Sequence, residues 1–471
     1  MTADSTVGPG GAEFLDRGEF LVRGEWVLTM GPAGVVRDGA VHVLNGAIHS
    51  VGSWSELRDA LPTVMVIGDG TGIVTPGFVN AHTHLSEALA TGMGSELRLF
   101  QWGEQIVGPL GEVLTVEDAR EGTALRSIEM LLSGVTTVND MFVHGNPSEF
   151  ASVGVVAGLV RAGLRGVVSF GAEDAPSGPG TPPWASVERV IEEHLALEAA
   201  ARDAELVSFR YGVGTLLGQS DELLHSGVEA CQDNGWGIHT HLHETREELA
   251  ASADRWGART AEHADAIGML SVPMIAGHAV WMLDSDIDLL ASRGTSVAHN
   301  PVANMILGSG VAPIRALLTA GIPVGIGTDG AASNDSQNML EAVKMAALLQ
   351  KVHALDPGVI DAATVLEMAT LGGARALGMD AIIGSLEVGK RADVVLFQGS
   401  VEVAVRHDPA AQLVYGASPR AVSDVLVDGR RVVADHRCVT IDEAEQIERV
   451  RPLVDHVARD STLGRAGWSK R

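Results

Sequence analysis

Between residues 77 and 380, short apolar runs alternate with longer amphipathic stretches, and this alternation constrains the fold more than any other feature. The strand candidates are RGVVSFG, VSFRYGVG, GIHTHLHE, PMIAGHAV, TSVAHNP and IPVGIGTDG. Helix candidates lie between them. One begins at Thr115, which with Asp118 is typical of a capping box, and another begins at Ser186. Alternating strands and helices over roughly 300 residues predict a (β/α)₈ TIM barrel of the α/β class, with an open doubly wound sheet as the alternative.

Both ends of the chain have a different pattern, in which short β-type runs are separated by turn residues. They are FLVRGEWVLTM and AVHVLNGAIHSVG near one end, and RADVVLFQG and VSDVLVDGRRVV near the other. Asp428 and Gly429 in the last run are typical of a two-residue hairpin turn. We therefore predict one small β-sandwich domain built from both chain ends. The predicted organisation is a flexible tail over 1–17, the β-sandwich over 18–76 and 381–441, the barrel over 77–380 and a C-terminal helical segment over 442–471.

Charge and cysteine content argue against several classes of partner. The chain has 33 Lys and Arg against 60 Asp and Glu, a formal net charge of −27, which opposes binding to nucleic acid or to an anionic membrane. No apolar run reaches the ~20 residues of a membrane span, and the N-terminus lacks the features of a signal peptide. Cys231 and Cys438 do not form a disulfide framework. We expect a cytoplasmic protein and, from its size and acidity, a homo-oligomer.

Histidine and aspartate residues occur where the strand candidates end. His82 and His84 follow the run VTPGFVNA and are spaced two apart, so both imidazoles can face one ion from a β-strand. Such a pair is weak evidence alone, but His241 ends GIHTH and Asp329 ends GIPVGIGTD, and barrel enzymes place catalytic residues at this edge. These four residues predict a site for one divalent metal ion. Zn²⁺ is the expected ion and Fe²⁺ the alternative.

Further polar residues lie close to these strand ends. Glu244 is three residues after His241, in the loop beyond the strand, where it can shuttle protons without binding the ion. His278 ends the run MIAGH, and taken alone it is more typical of a helix cap or a polar neighbour. His239 and His243 flank His241, and we expect them to lie around the ligands rather than to bind the ion.

These segments together resemble the amidohydrolase superfamily, and within it the methylthioadenosine/S-adenosylhomocysteine deaminase and triazine chlorohydrolase group. PGFVNAHTH is similar to the first metal motif of that family, HLHET to its third-histidine and glutamate motif, and GTDGAASND to its aspartate motif. AHNPVANMILGSGVAPI and GSLEVGKRADVVLF are also similar to family segments, so the resemblance covers nearly the full length. It implies a (β/α)₈ barrel with a β-sandwich. It also implies that His278 bonds to the metal-bound hydroxide instead of ligating the ion.

The residues expected to contact the substrate match those deaminases only in part. Trp102, with Pro109 seven residues on, resembles a substrate-facing tryptophan of the adenosine deaminases, and core packing is the equal alternative. Gly214 stands where those deaminases carry a histidine that contacts the nucleoside, and Phe170 where they carry an arginine. An apolar residue in place of a cation argues against a substrate with a carboxylate tail.

The combined features predict hydrolytic deamination of an amino-substituted heteroaromatic ring, such as a purine, pterin or triazine. A bound ion would supply hydroxide at neutral pH, Asp329 and His278 would orient it and take its proton, and Glu244 would protonate a ring nitrogen. Loss of chloride or an alkylamine from a triazine-type ring is the alternative reaction. An inactive binding protein on the same fold is the alternative of another class. The Gly- and Pro-rich loop ending at Trp184 is either a cover for the pocket or a passive connection.

Overall fold

A computed structural model describes residues 6–7, 13–14, 17–94, 96–171, 173–175, 185–405 and 407–461 of the 471-residue chain. Most of the predicted tail over 1–17 and the loop up to Trp184 lie outside these residues, so both hypotheses stay predictions. Within the described residues, no helix is both long enough and apolar enough to cross a membrane.

The described residues form twenty strands. They are β1 (Thr6–Val7), β2 (Glu13–Phe14), β3 (Glu19–Leu28), β4 (Val35–Leu44), β5 (Ala47–Ser53), β6 (Met65–Ile67), β7 (Ile73–Pro76), β8 (Phe78–Thr83), β9 (Val135–Phe142), β10 (Arg165–Phe170), β11 (Val207–Phe209), β12 (Tyr211–Val213), β13 (Ile238–Leu242), β14 (Met274–His278), β15 (Ser296–His299), β16 (Val324–Ile326), β17 (Val394–Phe397), β18 (Val422–Val427), β19 (Arg430–Ala434) and β20 (Arg437–Cys438).

Seventeen α-helices lie among these strands in the same part of the chain. They are α1 (Trp54–Ala60), α2 (Leu99–Trp102), α3 (Gly108–Gly111), α4 (Val116–Leu132), α5 (Val153–Ala162), α6 (Val187–Arg202), α7 (Asp221–Asn234), α8 (Arg246–Trp256), α9 (Thr260–Ala266), α10 (Asp284–Arg293), α11 (Pro301–Ile306), α12 (Ile314–Thr319), α13 (Met339–Ala354), α14 (Ala362–Glu367), α15 (Gly373–Ala376), α16 (Pro409–Gly416) and α17 (Glu443–Asp460).

The middle of the chain forms two parallel sheets, and the α/β class predicted from the sequence is confirmed. One sheet has the order β11-β10-β9-β8 and the other the order β12-β13-β14-β15-β16. Every residue of β8, β9, β10, β14, β15 and β16 is buried. Parallel strands that are covered on both faces are apolar almost throughout, so the polar residues at their ends stand out in the sequence.

Two predicted helix starts are confirmed. The Thr115 hydroxyl accepts from the Asp118 N–H at 3.1 Å and the Asp118 carboxylate accepts from the Thr115 N–H at 2.9 Å, which completes a capping box at the start of α4. Ser186 caps α6 by accepting from the Arg189 N–H. These caps satisfy backbone N–H groups that the first helical turn leaves without partners.

Both chain ends contribute to a nine-stranded sheet. Its order is β20-β19-β18-β17-β7-β3-β4-β5, with β6 paired to β3, and the two ends meet where β7 pairs antiparallel with β17. The hairpin turn predicted between β18 and β19 is confirmed, because Asp428 and Gly429 have φ angles of 54° and 74°. A buried apolar cluster covers one part of this sheet, and it includes Phe20, Val22, Val41, Val43, Ile48, Val394, Leu396 and Leu426.

A buried ion pair joins the parallel strands to the nine-stranded sheet. Arg165 at the start of β10 donates from Nη2 to Asp393 Oδ1 at 3.0 Å and from Nε to Asp393 Oδ2 at 3.1 Å. The same carboxylate accepts from the Asp428 N–H at 2.7 Å. Arg165 and Asp393 are only 6% and 3% exposed, so water cannot replace either partner.

We predict that Asp393→Ala lowers the free energy of unfolding by about 3 kcal/mol or more, because it removes both close hydrogen bonds of the buried Arg165 guanidinium and leaves only Asp428 Oδ1, at 3.6 Å, as an acidic partner. Urea unfolding followed by circular dichroism measures the change. Glu448→Ala is the control, since it breaks the exposed pair with Arg451 and should have no resolvable effect. Equal effects of the two substitutions would contradict the structural role of the buried pair.

Candidate metal centre

The four residues predicted as metal ligands lie together at the ends of three strands. His82 belongs to β8, His84 follows it, His241 belongs to β13 and Asp329 follows β16. His84 Nε2 is 3.0 Å from His241 Nε2, and Asp329 Oδ1 is 3.2 Å from His84 Nε2 and 3.4 Å from His82 Nε2. Ligands arranged tetrahedrally about 2.1 Å from an ion lie about 3.4 Å from one another, so these spacings fit one ion.

His278 lies at the edge of the same cluster. Donor atoms of His82, His84 and Asp329 all lie within 4.8 Å of one another. The same is true of donor atoms of His82, His241 and His278. His278 Nε2 is 3.5 Å from Glu244 Oε2 and 3.8 Å from Asp329 Oδ2. The structure therefore brings together every residue that the sequence predicts as a ligand or a proton carrier.

The backbone is locally strained where the loops leave these strands. His243, His278 and Asp329 have φ angles of 54°, 73° and 64°, in the left-handed region that non-glycine residues rarely adopt. Each such residue costs on the order of 1–3 kcal/mol, and such residues persist where surrounding contacts hold them. One of these contacts is the Asp329 N–H, which donates to the His82 carbonyl at 3.0 Å.

Backbone carbonyls decide which nitrogen of two histidines faces the centre. His84 Nδ1 lies 2.7 Å from the Met141 carbonyl, and His241 Nδ1 lies 2.5 Å from the Gly214 carbonyl. A carbonyl can only accept, so both Nδ1 atoms carry the proton and both Nε2 lone pairs point inward. His82 Nε2 is fully buried and has no hydrogen-bond partner among the described residues. Three imidazoles and a carboxylate of this kind fit Zn²⁺ or Fe²⁺.

The charges in the cluster depend on one another. Burial lowers the pKa of His82 to about 4 and that of His241 well below its usual value. Burial also acts to lower the pKa of His84, but its hydrogen bond to Asp329 and the Asp329 charge raise it to about 10. Against burial, the two histidines hold the pKa of Asp329 well below its usual range. The Asp329 carboxylate and the His84 ring therefore favour each other's charged forms.

Glu244 and His278 have the contacts expected of proton carriers. Asn304 Oδ1 lies 2.8 Å from His278 Nδ1, and Asn300 Nδ2 lies 3.3 Å from His278 Nε2. With these amide orientations His278 donates through Nδ1 and accepts through Nε2. Burial raises the pKa of Glu244, against the opposing effect of His278. A raised pKa lets a carboxyl group hold and deliver a proton closer to neutrality.

Two residues that hold Glu244 were missed by the sequence analysis. The Ser309 hydroxyl donates to Glu244 Oε1 at 2.9 Å, and the Glu248 carboxylate accepts from the N–H groups of His243 at 2.9 Å and of Glu244 at 2.7 Å. Glu248 lies in the first turn of α8, which Thr245 caps, so the Thr-x-x-Glu spacing after HLHE was an available signal. Ser309 is 65 residues from Glu244, and no local pattern in the sequence indicated this contact.

Trp102 lies against the loop that carries Asp329. Its indole N–H donates to the Ala332 carbonyl at 3.1 Å, and the residue is 8% exposed. A β-carbon on Gly94 would lie 2.7 Å from the Trp102 ring, so the ring is closely packed on that side. These contacts fit the packing alternative, and a substrate contact by Trp102 stays a prediction.

The two positions that depart from the deaminase pattern lie in packed surroundings. Phe170 is buried, and its ring centroid is 5.1 Å from that of His144 and 5.4 Å from that of His194. A β-carbon at Gly214 would lie 2.6 Å from the Gly171 carbonyl oxygen. The local packing therefore opposes an imidazole at position 214, and position 170 is filled by a buried apolar ring.

The chain is similar to known proteins over most of its length. A model of the amidohydrolase family matches residues 73–432. A 5-methylthioadenosine/S-adenosylhomocysteine deaminase of Desulforudis audaxviator is 39% identical, over 93% of this chain and 99% of its own length. An adenosine deaminase of Xanthomonas campestris, solved with bound zinc, has a TM-score of 0.86 at 32% identity and covers 93% of this chain and 98% of its own. The zinc complex of an atrazine chlorohydrolase of Arthrobacter aurescens has a TM-score of 0.86 at 26% identity. It covers 92% of this chain and 100% of its own.

We predict that Gly214→Ala lowers the free energy of unfolding by about 1–3 kcal/mol, because the new methyl group overlaps the Gly171 carbonyl. The substitution should also displace the carbonyl of residue 214, which holds His241 Nδ1. Chemical denaturation measures the first effect. Gly52→Ala is the control, since no atom lies within 4 Å of a β-carbon there. A Gly214→Ala protein as stable as the control would show that this position can accept a side chain.

Proposed function

The chain belongs to the amidohydrolase family, and on that basis we propose that it is a metal-dependent hydrolase acting on carbon–nitrogen bonds, which deaminates an amino-substituted heteroaromatic ring. The observation that carries the proposal is the placement of Glu244, a buried carboxyl of raised pKa, 3.5 Å from His278 and beside the four donor residues. Deamination of such a ring needs a proton donor for a ring nitrogen next to an activated water. The deaminase names of the relatives support the same reaction.

We assign one divalent ion to His82, His84, His241 and Asp329. Zn²⁺ is the proposed ion, supported by the 3.0–3.4 Å spacing of the donor atoms and by the zinc in the structural neighbours, and Fe²⁺ is the alternative. When bound, such an ion supplies a hydroxide nucleophile at neutral pH.

We assign a separate proton transfer to each of the residues around the donor atoms. Asp329 Oδ2 and His278 Nε2 are two acceptors 3.8 Å apart that orient the attacking water, and Asp329 takes its proton. Ser309 occupies Glu244 Oε1, so Oε2 is the atom that carries the proton for the ring nitrogen. Protonation makes the neighbouring ring carbon electrophilic. The proton held by Asp329 then passes to the leaving nitrogen, ammonia departs, and the remaining hydroxyl proton returns to Glu244 as a carbonyl forms on the ring.

Within this reaction class we propose a purine, pterin or triazine-type ring without a carboxylate tail. Phe170 packs between two imidazole rings and cannot pair with an anion, and Gly214 provides only backbone. A carboxylate placed there would lose its hydration without gaining a charge-assisted hydrogen bond.

We also propose that the two parallel sheets are arcs of one (β/α)₈ barrel over 77–380. Arg210 links β11 and β12, and its N–H donates to the Val168 carbonyl in one sheet while the next residue, Tyr211, donates to Gly237 beside the other. At the opposite side the Asp329 N–H bonds to the His82 carbonyl. The nine-stranded sheet, folded over its apolar cluster, would be the β-sandwich formed by 18–76 and 381–441.

A cytoplasmic location, a homo-oligomeric state and the absence of nucleic-acid partners are further proposals. Cys231 and Cys438 are buried and unpaired, which supports a reducing compartment. An apolar groove of about 480 Å³ along α13 is lined by side chains that include Val352 and Leu355, which are 67% and 88% exposed. An exposed apolar surface of this kind supports association of subunits.

We predict that Glu244→Gln lowers kcat by about 100-fold or more, because the amide cannot deliver the proton. Ammonia release from a panel of adenine nucleosides, guanine, pterins, cytosine analogues and triazines provides the measurement. Zinc content should be unchanged, since Glu244 is not a proposed ligand. Near-normal turnover by the variant would rule out the acid role, and release of chloride without ammonia would favour the dechlorination alternative.

We predict that the purified protein contains one equivalent of zinc or iron, and that Asp329→Ala removes both the metal and the activity. Elemental analysis and an ammonia assay before and after chelation measure this. Added Zn²⁺ should restore the chelated wild-type enzyme but not the variant. A freshly purified protein without metal that gains no activity with Zn²⁺ would favour the inactive binding protein.

A further inference from the structure

His239 is a fully buried histidine that the proposed mechanism does not use. It lies on β13 two residues before His241, and its Nε2 is 2.7 Å from His82 Nδ1. Its Nδ1 is 3.1 Å from the Ser169 hydroxyl on β10, and Asn139 Nδ2 on β9 is 3.3 Å from its Nε2. Side chains from three neighbouring strands thus surround one imidazole.

The direction of each hydrogen bond in this group can be assigned from a backbone carbonyl that can only accept. The Ser169 hydroxyl is 2.8 Å from the Asp140 carbonyl, which can only accept, so the hydroxyl proton points there. The Ser169 oxygen is then free to accept from His239 Nδ1. Asn139 Nδ2, an amide nitrogen that can only donate, faces His239 Nε2, so Nε2 carries no proton and the ring proton is on Nδ1.

The lone pair on His239 Nε2 in turn sets the protonation of His82. Asn139 Nδ2 donates to the Ala81 carbonyl at 2.9 Å and adds a second donor at His239 Nε2. Because His239 Nε2 is an acceptor, the 2.7 Å contact requires a proton on His82 Nδ1. His82 Nε2 therefore has a bare lone pair, and this atom has no hydrogen-bond partner in the described part of the chain.

We propose that His239 is a positioning residue for the metal centre, which selects the Nδ1–H form of His82 and fixes the orientation of its ring. His84 and His241 obtain the same effect from backbone groups, the carbonyls of Met141 and Gly214. His82 is the one of the three histidines whose Nδ1 is held by a side chain. The inference rests on the proposed role of His82 as a metal ligand.

Two substitutions that carry the same amide group test this role. In His239→Gln the amide oxygen can reach the place of Nε2 and accept from His82 Nδ1–H. In His239→Asn the side chain is one methylene shorter and reaches only the place of Nδ1, so His82 loses its acceptor. We expect the Zn²⁺ dissociation constant, measured by competition with a chromogenic chelator, to rise about 10–100-fold for Asn and by only about threefold for Gln.

Two further measurements separate this role from simple packing. The absorption spectrum of the Co²⁺-substituted protein reports the ligand geometry, and we expect it to change for His239→Asn and to be nearly kept for His239→Gln. Ser169→Ala removes the acceptor of His239 Nδ1–H, so that His239 can move its proton to Nε2. This variant should weaken Zn²⁺ binding by several-fold, and it serves as the test if His239→Asn does not fold by circular dichroism.

The possible results distinguish this role from the metal centre itself. Tight Zn²⁺ binding by the wild type with equal affinities for the Asn and Gln variants, whether both kept or both reduced, overturns the role of His239 alone. Failure of the wild type to bind Zn²⁺ overturns the proposed metal centre and this role with it. Weaker binding by Asn that Gln largely rescues, with the matching Co²⁺ spectra, supports the role.

Discussion

The contact between the segments that carry His82 and Asp329 is the constraint on which the site depends. The Asp329 N–H donates to the His82 carbonyl, and Asn80 bonds through both atoms of its amide to Thr328, 248 residues away in the chain. Thr83 adds a hydrogen bond from its hydroxyl to the Asp329 carbonyl at 2.9 Å. These bonds are buried, where an unpaired polar group costs more than in water, so they hold β8 against the end of β16. The separation of the histidines and the carboxylate is set by this junction.

Burial then gives each ionisable group in the site its chemical character. Glu87 accepts from the Ala332 N–H at 2.8 Å and from the Ser333 hydroxyl at 3.2 Å, which anchors the loop after Asp329. Burial raises the pKa of Glu87 to about 7, against the opposing charge of His84. The pKa of Glu244 is raised in the same way, whereas the pKa of Asp329 is lowered because the His82 and His84 rings beside it favour its charged form. Three buried carboxyl groups in one site thus differ through their partners, which allows one to hold protons while another stays charged.

Local patterns in the sequence predicted those features that depend on near neighbours. The capping box of Thr115, the cap at Ser186 and the turn at Asp428 are each decided within about four residues, and each is present in the structure. Most of the parallel strands were predictable because strands buried on both faces are largely apolar, and this made a histidine or aspartate at a strand end conspicuous. The carboxyl ends of parallel strands meet at one edge of a sheet, which is why His82 and Asp329 could be grouped before any distance was known.

The sequence by itself therefore determined the alternation of strands and helices and the residue types at the strand ends, because periodicity, caps and turns are local. Tertiary structure decided which groups touch. The bond from Ser309 to Glu244, the pair of Arg165 with Asp393 and the contact of His239 with His82 join residues far apart in the chain. It also decided the state of each buried group, since the proton on an imidazole follows from the acceptor that the folded chain places beside it.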